Sequence, residues 1–255
     1  MRMIYVFTVL TLLLVANTPL AAAGWENVEI LGYPHPELES VYIISSNDGW
    51  AVGWNGVILH WNGSSWSLSQ SPTDNTLYSV FMISSSDGWA VGNNGTILRW
   101  NGSIWSLIDS PDENHLNSIY MVSPNDGWIV SNYGTILRWN GGAWTNVSSP
   151  VAGISPLYSI HMLSPNDGWV AGGGSGILHW DGSQWFLIEN TSQYSLISIC
   201  MLSPNEGWAV GLDVLHYTAD TQTGGGSDNT LIIAAGAVVV IMVLAAIFYI
   251  KRVRK

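Results

Sequence analysis

Cysteine is almost missing from this sequence, and Cys200 stands alone. A single thiol allows no disulfide within the chain, so any exported part must be held by apolar packing. Lysine is absent from residues 24 to 230, where Arg99 and Arg138 are the only strong bases. All eighteen acidic residues fall in that same stretch, so two arginines against eighteen carboxylates leave a formal charge of −16. Such a surface repels phosphate backbones and argues against nucleic acid as a partner. The stretch also lacks any segment whose apolar residues recur at helical spacing. What it has is tryptophan, with fifteen in the whole chain.

The two ends differ from this middle. Residues 1–23 carry Arg2, then the apolar run MIYVFTVLTLLLVA, then NTPLAAAG with small residues suited to cleavage. This is the layout of a secretory signal peptide, with a membrane anchor as the other reading of the same run. Residues 231–250, LIIAAGAVVVIMVLAAIFYI, form twenty uncharged apolar residues followed at once by KRVRK. Twenty helical residues match a hydrocarbon core of about 30 Å, and the basic cluster at 251–255 is expected to stay cytoplasmic. TADTQTGGGSDNT, ending at residue 230, reads as a flexible linker, taken as residues 218–230. The expected product is a type I single-pass protein of the cell membrane, with its folded domain at 24–217 outside the cytoplasm.

That domain repeats itself. Gly-Trp recurs at 49–50, 88–89, 127–128, 168–169 and 207–208, at intervals of 39, 39, 41 and 39 residues. Intervals near forty with short strands inside them point to propeller blades or another repeat array. Each unit reads as four strands. The first is LYSVFMIS at 77–84 and its counterparts, the second is GWAVG, the third is TILRW or VILHW, and the fourth starts at the Trp after the NGS turn. β-Branched and aromatic runs separated by Gly, Asn, Asp, Ser and Pro are what strands and tight turns require. The fifth unit stops at VLHY (214–217) without a fourth strand, while WENVEI (25–30) has fourth-strand character and no unit before it. The orphan and the gap match. The expectation is therefore an all-β, five-bladed β-propeller of four-stranded blades, closed by pairing of its N- and C-terminal strands.

The stretch GWAVGNNGTILRW resembles the repeats of the photosystem II stability/assembly-factor-like propeller family, and more distantly the Asp-box (BNR) repeats of sialidase-like propellers. The resemblance covers all five units and implies architecture rather than activity.

Fourteen of the tryptophans fall at equivalent places in the units, which favours blade-to-blade packing over sugar stacking. An acid before each Gly-Trp (Asp48, Asp87, Asp126, Asp167, Glu206) faces a base in the third strand (His60, Arg99, Arg138, His179, His216), suggesting one acid–base contact per blade. A metal ring of His60, His179 and His216 is not expected, because their counterparts in other units are arginine; no cofactor is implied. Cys200 aligns with Tyr42, Phe81, Tyr120 and His161 and reads as a core thiol. The sequons at Asn62, Asn94, Asn101, Asn146 and Asn190 are candidate glycosylation sites, though Asn-Gly is also a preferred turn pair.

Function is expected in what varies between units. The turns between second and third strands, and the connections from fourth to first strands, should share one face of a propeller. Trp54, the one Trp outside the repeat register, lies there with Asn55, Asn93, Asn132, Tyr133 and Asp213. These are the candidate ligand-binding residues for a protein or glycan partner, with Trp54 and Tyr133 as exposed aromatics. The competing reading is a glycoside hydrolase using loop carboxylates such as Asp74, Asp112, Glu113 and Asp213, although no pair is singled out by spacing.

Overall fold

The computed structural model describes residues 36–219 other than 154 and 175, together with residues 24, 25, 27, 28 and 30. The signal segment 1–23, the apolar span 231–250, the tail 251–255 and all but the first two residues of the linker lie outside the described residues. Among the described residues no helix is long and apolar enough to cross a membrane.

The five units are five antiparallel sheets in chain order, four of them four-stranded and the last three-stranded. Blade 1 holds β1 (Leu38–Ser45), β2 (Asp48–Gly53), β3 (Ile58–Trp61) and β4 (Trp66–Ser69). Blade 2 holds β5 (Leu77–Ser84), β6 (Asp87–Gly92), β7 (Ile97–Trp100) and β8 (Trp105–Ile108). Blade 3 holds β9 (Leu116–Ser123), β10 (Asp126–Ser131), β11 (Ile136–Trp139) and β12 (Trp144–Val147). Blade 4 holds β13 (Leu157–Ser164), β14 (Asp167–Gly172), β15 (Ile177–Trp180) and β16 (Trp185–Ile188). Blade 5 has β17 (Leu196–Ser203), β18 (Glu206–Gly211) and β19 (Val214–Thr218). Side-chain oxygens close the outer hairpins: Asn62, Asn101, Asn140 and Asp181 each accept backbone N–H bonds from residues two and three further on. The turn is thus built by the side chain rather than by the ladder.

The apolar cores lie between blades. Trp50 of blade 1 meets Trp100 at 4.7 Å and Trp105 edge-on at 5.3 Å, both from blade 2. Trp89 repeats this with Trp139 and Trp144, and Trp128 with Trp180 and Trp185. Tilted and T-shaped indoles bring positive ring edges onto negative faces, so the repeat adds an electrostatic preference to a large buried area. Polar links join the first strands of successive blades. Ser40, Ser79, Ser118 and Ser159 each accept through Oγ the backbone N–H of Val80, Ile119, Ile160 and Ile199, at 3.2 to 3.4 Å.

Among the described residues the expected closure of the ring is not formed. Ile30 pairs in parallel with Trp66 on β4 of blade 1, and β17–β18–β19 remains a sheet of three strands. The physical reason is local. Ile30 covers Ala51, Val57, Leu59 and Trp66, the patch that a preceding blade would otherwise bury. The outward ends of the array are correspondingly uncovered. Val41 of blade 1 is 56% exposed where its counterpart Val80 is 4% exposed. Trp208 of blade 5 is 36% exposed where Trp169 is 3% exposed, and Trp25 is almost fully exposed. The reading of every repeated Trp as core therefore fails at Trp25 and Trp208, which lack a neighbouring blade.

Candidate functional site

Two loop sets interlock along one end of the blades. At the second-to-third-strand turns of blades 1, 2 and 3 the chain enters the left-handed region, with Asn55 at φ 55°, Asn94 at φ 53° and Tyr133 at φ 61°. Asparagine tolerates this conformation; a tyrosine there is uncommon and strained. In blades 1 to 4 the turn is pinned by a backbone bond to the segment entering its own first strand: Trp54 N–H to Glu37, Asn93 to Thr76, Asn132 to His115 and Gly173 to Pro156, at 2.7 to 2.9 Å. Contacts with the connection of the next blade follow. Gly95 N–H donates to Asn114 O at 2.7 Å, and Gly153 N–H donates to Tyr133 O at 2.5 Å. At Gly56 the approach is so close that a Cβ would lie 1.9 Å from the Thr73 carbonyl oxygen.

Side chains lock the same rim. Asn75 donates to Thr96 Oγ1 at 2.9 Å, Ser131 donates to Asp112 Oδ2 at 2.7 Å, and Ser192 donates to Asp213 Oδ2 at 2.8 Å. Asn132 Oδ1 accepts from Asn117, whose amide also reaches Leu157 O. Asp112 is buried and also accepts from Asn114, so two of the four loop acids weighed for hydrolysis tie turns to connections.

The candidate ligand residues occupy this rim to different degrees. Asn55 is exposed, and Tyr133 is 63% exposed. Trp54 departs from the expected exposure. It is half-buried, and its indole N–H donates to Glu39 on β1, because β1 begins beside the turn and offers a carboxylate there. Asn93, Asn132 and Asp213 are half-buried, and Asn93 Oδ1 is out of solvent without a hydrogen-bond partner.

The acid–base residues lie at the opposite end. Asp48 is 2.9 Å from His60 Nε2, Asp87 is 3.2 Å from Arg99 Nε, Asp126 is 2.9 Å from Arg138 Nε, and Asp167 is 3.0 Å from His179 Nε2. The fifth pair, Glu206 and His216, is looser at 3.7 Å and more exposed. Each base also stacks on the Trp directly across the ladder. Arg99 lies 4.9 Å over Trp89 and Arg138 lies 4.7 Å over Trp128, while the rings of His60, His179 and His216 sit 4.1 to 4.3 Å from Trp50, Trp169 and Trp208. A carboxylate, a cation or imidazole, and an indole thus form one layered contact per blade. Sequence reasoning missed the stacking, although the register that puts Trp50 opposite His60 was readable from the hairpin length.

At the position shared by Tyr42, Phe81, Tyr120, His161 and Cys200, burial lowers the imidazole pKa of His161 and raises the thiol pKa of Cys200. His161 stacks on Tyr120, and its Nδ1 accepts the Met201 N–H. Among the described residues no group of three or more His, Cys, Asp or Glu is placed to hold a metal ion.

Solved structures with the same arrangement of blades include YCF48 from Cyanidioschyzon merolae, 16% identical, with a TM-score of 0.60 over 76% of this chain and 73% of that one. The WD40 β-propeller domain of Doa1 is 13% identical, with a TM-score of 0.57 over 68% of this chain and 62% of that one. The fold is that of a β-propeller. The computationally designed Ika8 protein is similar too, at 14% identity and a TM-score of 0.58, covering 72% of this chain and 58% of the designed one. No protein-family model and no curated protein sequence matches the chain.

Within the propeller the sequon asparagines fall into two kinds. Asn62 and Asn101 are exposed but build the outer hairpin turns, and Asn94 and Asn146 are exposed. Asn190 is half-buried, and its Oδ1 accepts from Ser192 N.

Proposed function

We propose that this propeller is a non-catalytic recognition or assembly module, displayed outside the cytoplasm on a C-terminal membrane anchor and engaging a protein or glycan with its interlocked loop rim. The observation that carries this reading is Tyr133, an exposed aromatic held in a left-handed conformation where blades 1 and 2 use asparagine. Strain kept at an exposed tip, in a rim otherwise built from hydrogen-bonded small polar residues, is a pointer to function rather than to stability. Trp54, Asn55, Asn93, Asn132 and Asp213 flank it along the rim. The export signal, the apolar span and the exposed sequons support the location in the same reading.

The glycosidase alternative is weakened by the engagement of Asp112 and Asp213 in turn locks. Replacing Tyr133 by Asn keeps the backbone conformation and removes only the ring. With the full chain, Tyr133→Asn is expected to weaken capture of the partner by about tenfold or more while leaving the melting temperature level or slightly raised. Unchanged affinity would mean that the rim is the wrong surface. Turnover of chromogenic glycosides that is abolished by Asp213→Asn would replace recognition with hydrolysis.

A further inference from the structure

The two uncovered ends of the array are the two halves of one interface that the chain builds between its own blades. At interior junctions a fourth-strand tryptophan enters a slot on the preceding blade: Trp105 against Trp50, Trp144 against Trp89, Trp185 against Trp128. Among the described residues blade 5 has no fourth strand and the outer edge of β19 carries no further strand. The matching slot beside Trp169 is an open apolar groove of about 220 Å³, reached by Ile177, Ile188, Leu215 and Tyr217.

Residues 25–30 have the spacing of the missing strand. Trp25 and Val28 stand three apart, as do Trp105 and Ile108 in β8 and Trp185 and Ile188 in β16. Ile108 and Ile188 each help cover the following junction. Ile30 does the same service over Trp66 and Leu59 of blade 1. Ile30 therefore lies against blade 1 as a residue from the last strand of a preceding blade would.

We propose that blade 5 of one copy docks on blade 1 of a second copy and takes that copy's residues 25–30 as its fourth strand, antiparallel to β19, with Trp25 entering the groove beside Trp169. The occupant is a second copy because, in one chain, blades 1 and 5 both stay uncovered. The contact is head-to-tail: each docking leaves one free blade 1 and one free blade 5, so it closes into a ring or extends. An unpaired strand edge is a ready template for such addition. Both partners are acidic, so added salt should strengthen assembly by screening their repulsion, whereas it would weaken the binding of a basic partner.

In β16 Ile188 faces Ile177 across the ladder, and by that register Val28 of one copy faces Val214 of the other. Both valines are exposed in the single chain, so cysteines are tolerated there. Two differently tagged full-length chains, Val28→Cys/Cys200→Ala and Val214→Cys/Cys200→Ala, are mixed and mildly oxidised. A disulfide joining the two tags is expected in the mixture and in neither population alone. Its absence overturns the proposal, as does cross-linking within one chain that carries both cysteines. Trp25→Ala should in addition reduce the sedimenting mass by weakening assembly about tenfold or more, with the melting temperature of the dilute chain unchanged. An unaltered mass distribution would also overturn it. The rim variant Tyr133→Asn should leave the cross-link untouched, so failure here and failure of the recognition reading are told apart.

Discussion

Asp126, Arg138 and Trp128 show how much of a blade rests on three side chains. The guanidinium donates two hydrogen bonds to the carboxylate, from Nε to Oδ1 at 2.9 Å and from Nη2 to Oδ2 at 3.2 Å, while its face lies over the indole. Both charged groups stay partly in water, so the pair is worth less than a buried one. Asp126→Ala is expected to lower the unfolding free energy by about 1–2 kcal/mol, read by denaturant titration. No change would mean that the stack alone holds the base. His161 gives a pH signature. Burial depresses its folded-state pKa, so above the ordinary value of 6.5 both states are neutral and nothing is lost. As pH falls below 6.5, the unfolded chain takes up a proton that the fold resists, and stability drops until the folded-state value is passed. His161→Phe, the residue that blade 2 carries at this place, should flatten the slope between wild type and variant across that window. An identical slope in both would remove His161 as its source.

At the scale of the strand and turn, the serine in the first strands of blades 1 to 4 is a link between blades rather than a solvent-facing residue. Ser118→Ala removes the acceptor for the Ile160 N–H and should cost about 1–3 kcal/mol, because that donor is left without a partner inside a junction. Thermal unfolding of the single variant checks it. The strands within the five units were legible from the sequence: each run read there matches an observed strand, since β-branched residues and Asn-Gly turns state their preferences locally. The partnering of Asp48 with His60 was legible for the same reason, being set by hairpin length. The serine links, the stacking of bases on tryptophan and the burial of Trp54 against Glu39 were not, because each depends on how one element lies on another.

For the whole molecule the same distinction explains what was missed. WENVEI was read as the fourth strand of the last blade, but pattern does not say which sheet a segment joins, and Ile30 bridges Trp66 of blade 1 instead. Ile30 finds an apolar patch on its own blade 1. Division of labour between the two ends of the blades is the central claim: repeated residues at one end brace the scaffold, and varied residues at the other recognise a partner. Hydrogen-exchange mapping of the full chain, with and without its captured partner, tests this most directly. Protection confined to the turns at 54–56, 93–95, 132–134 and 212–213 and their adjoining connections is the result expected. Protection centred instead on the outer hairpin turns at 62–65, 101–104 and 140–143 would contradict it.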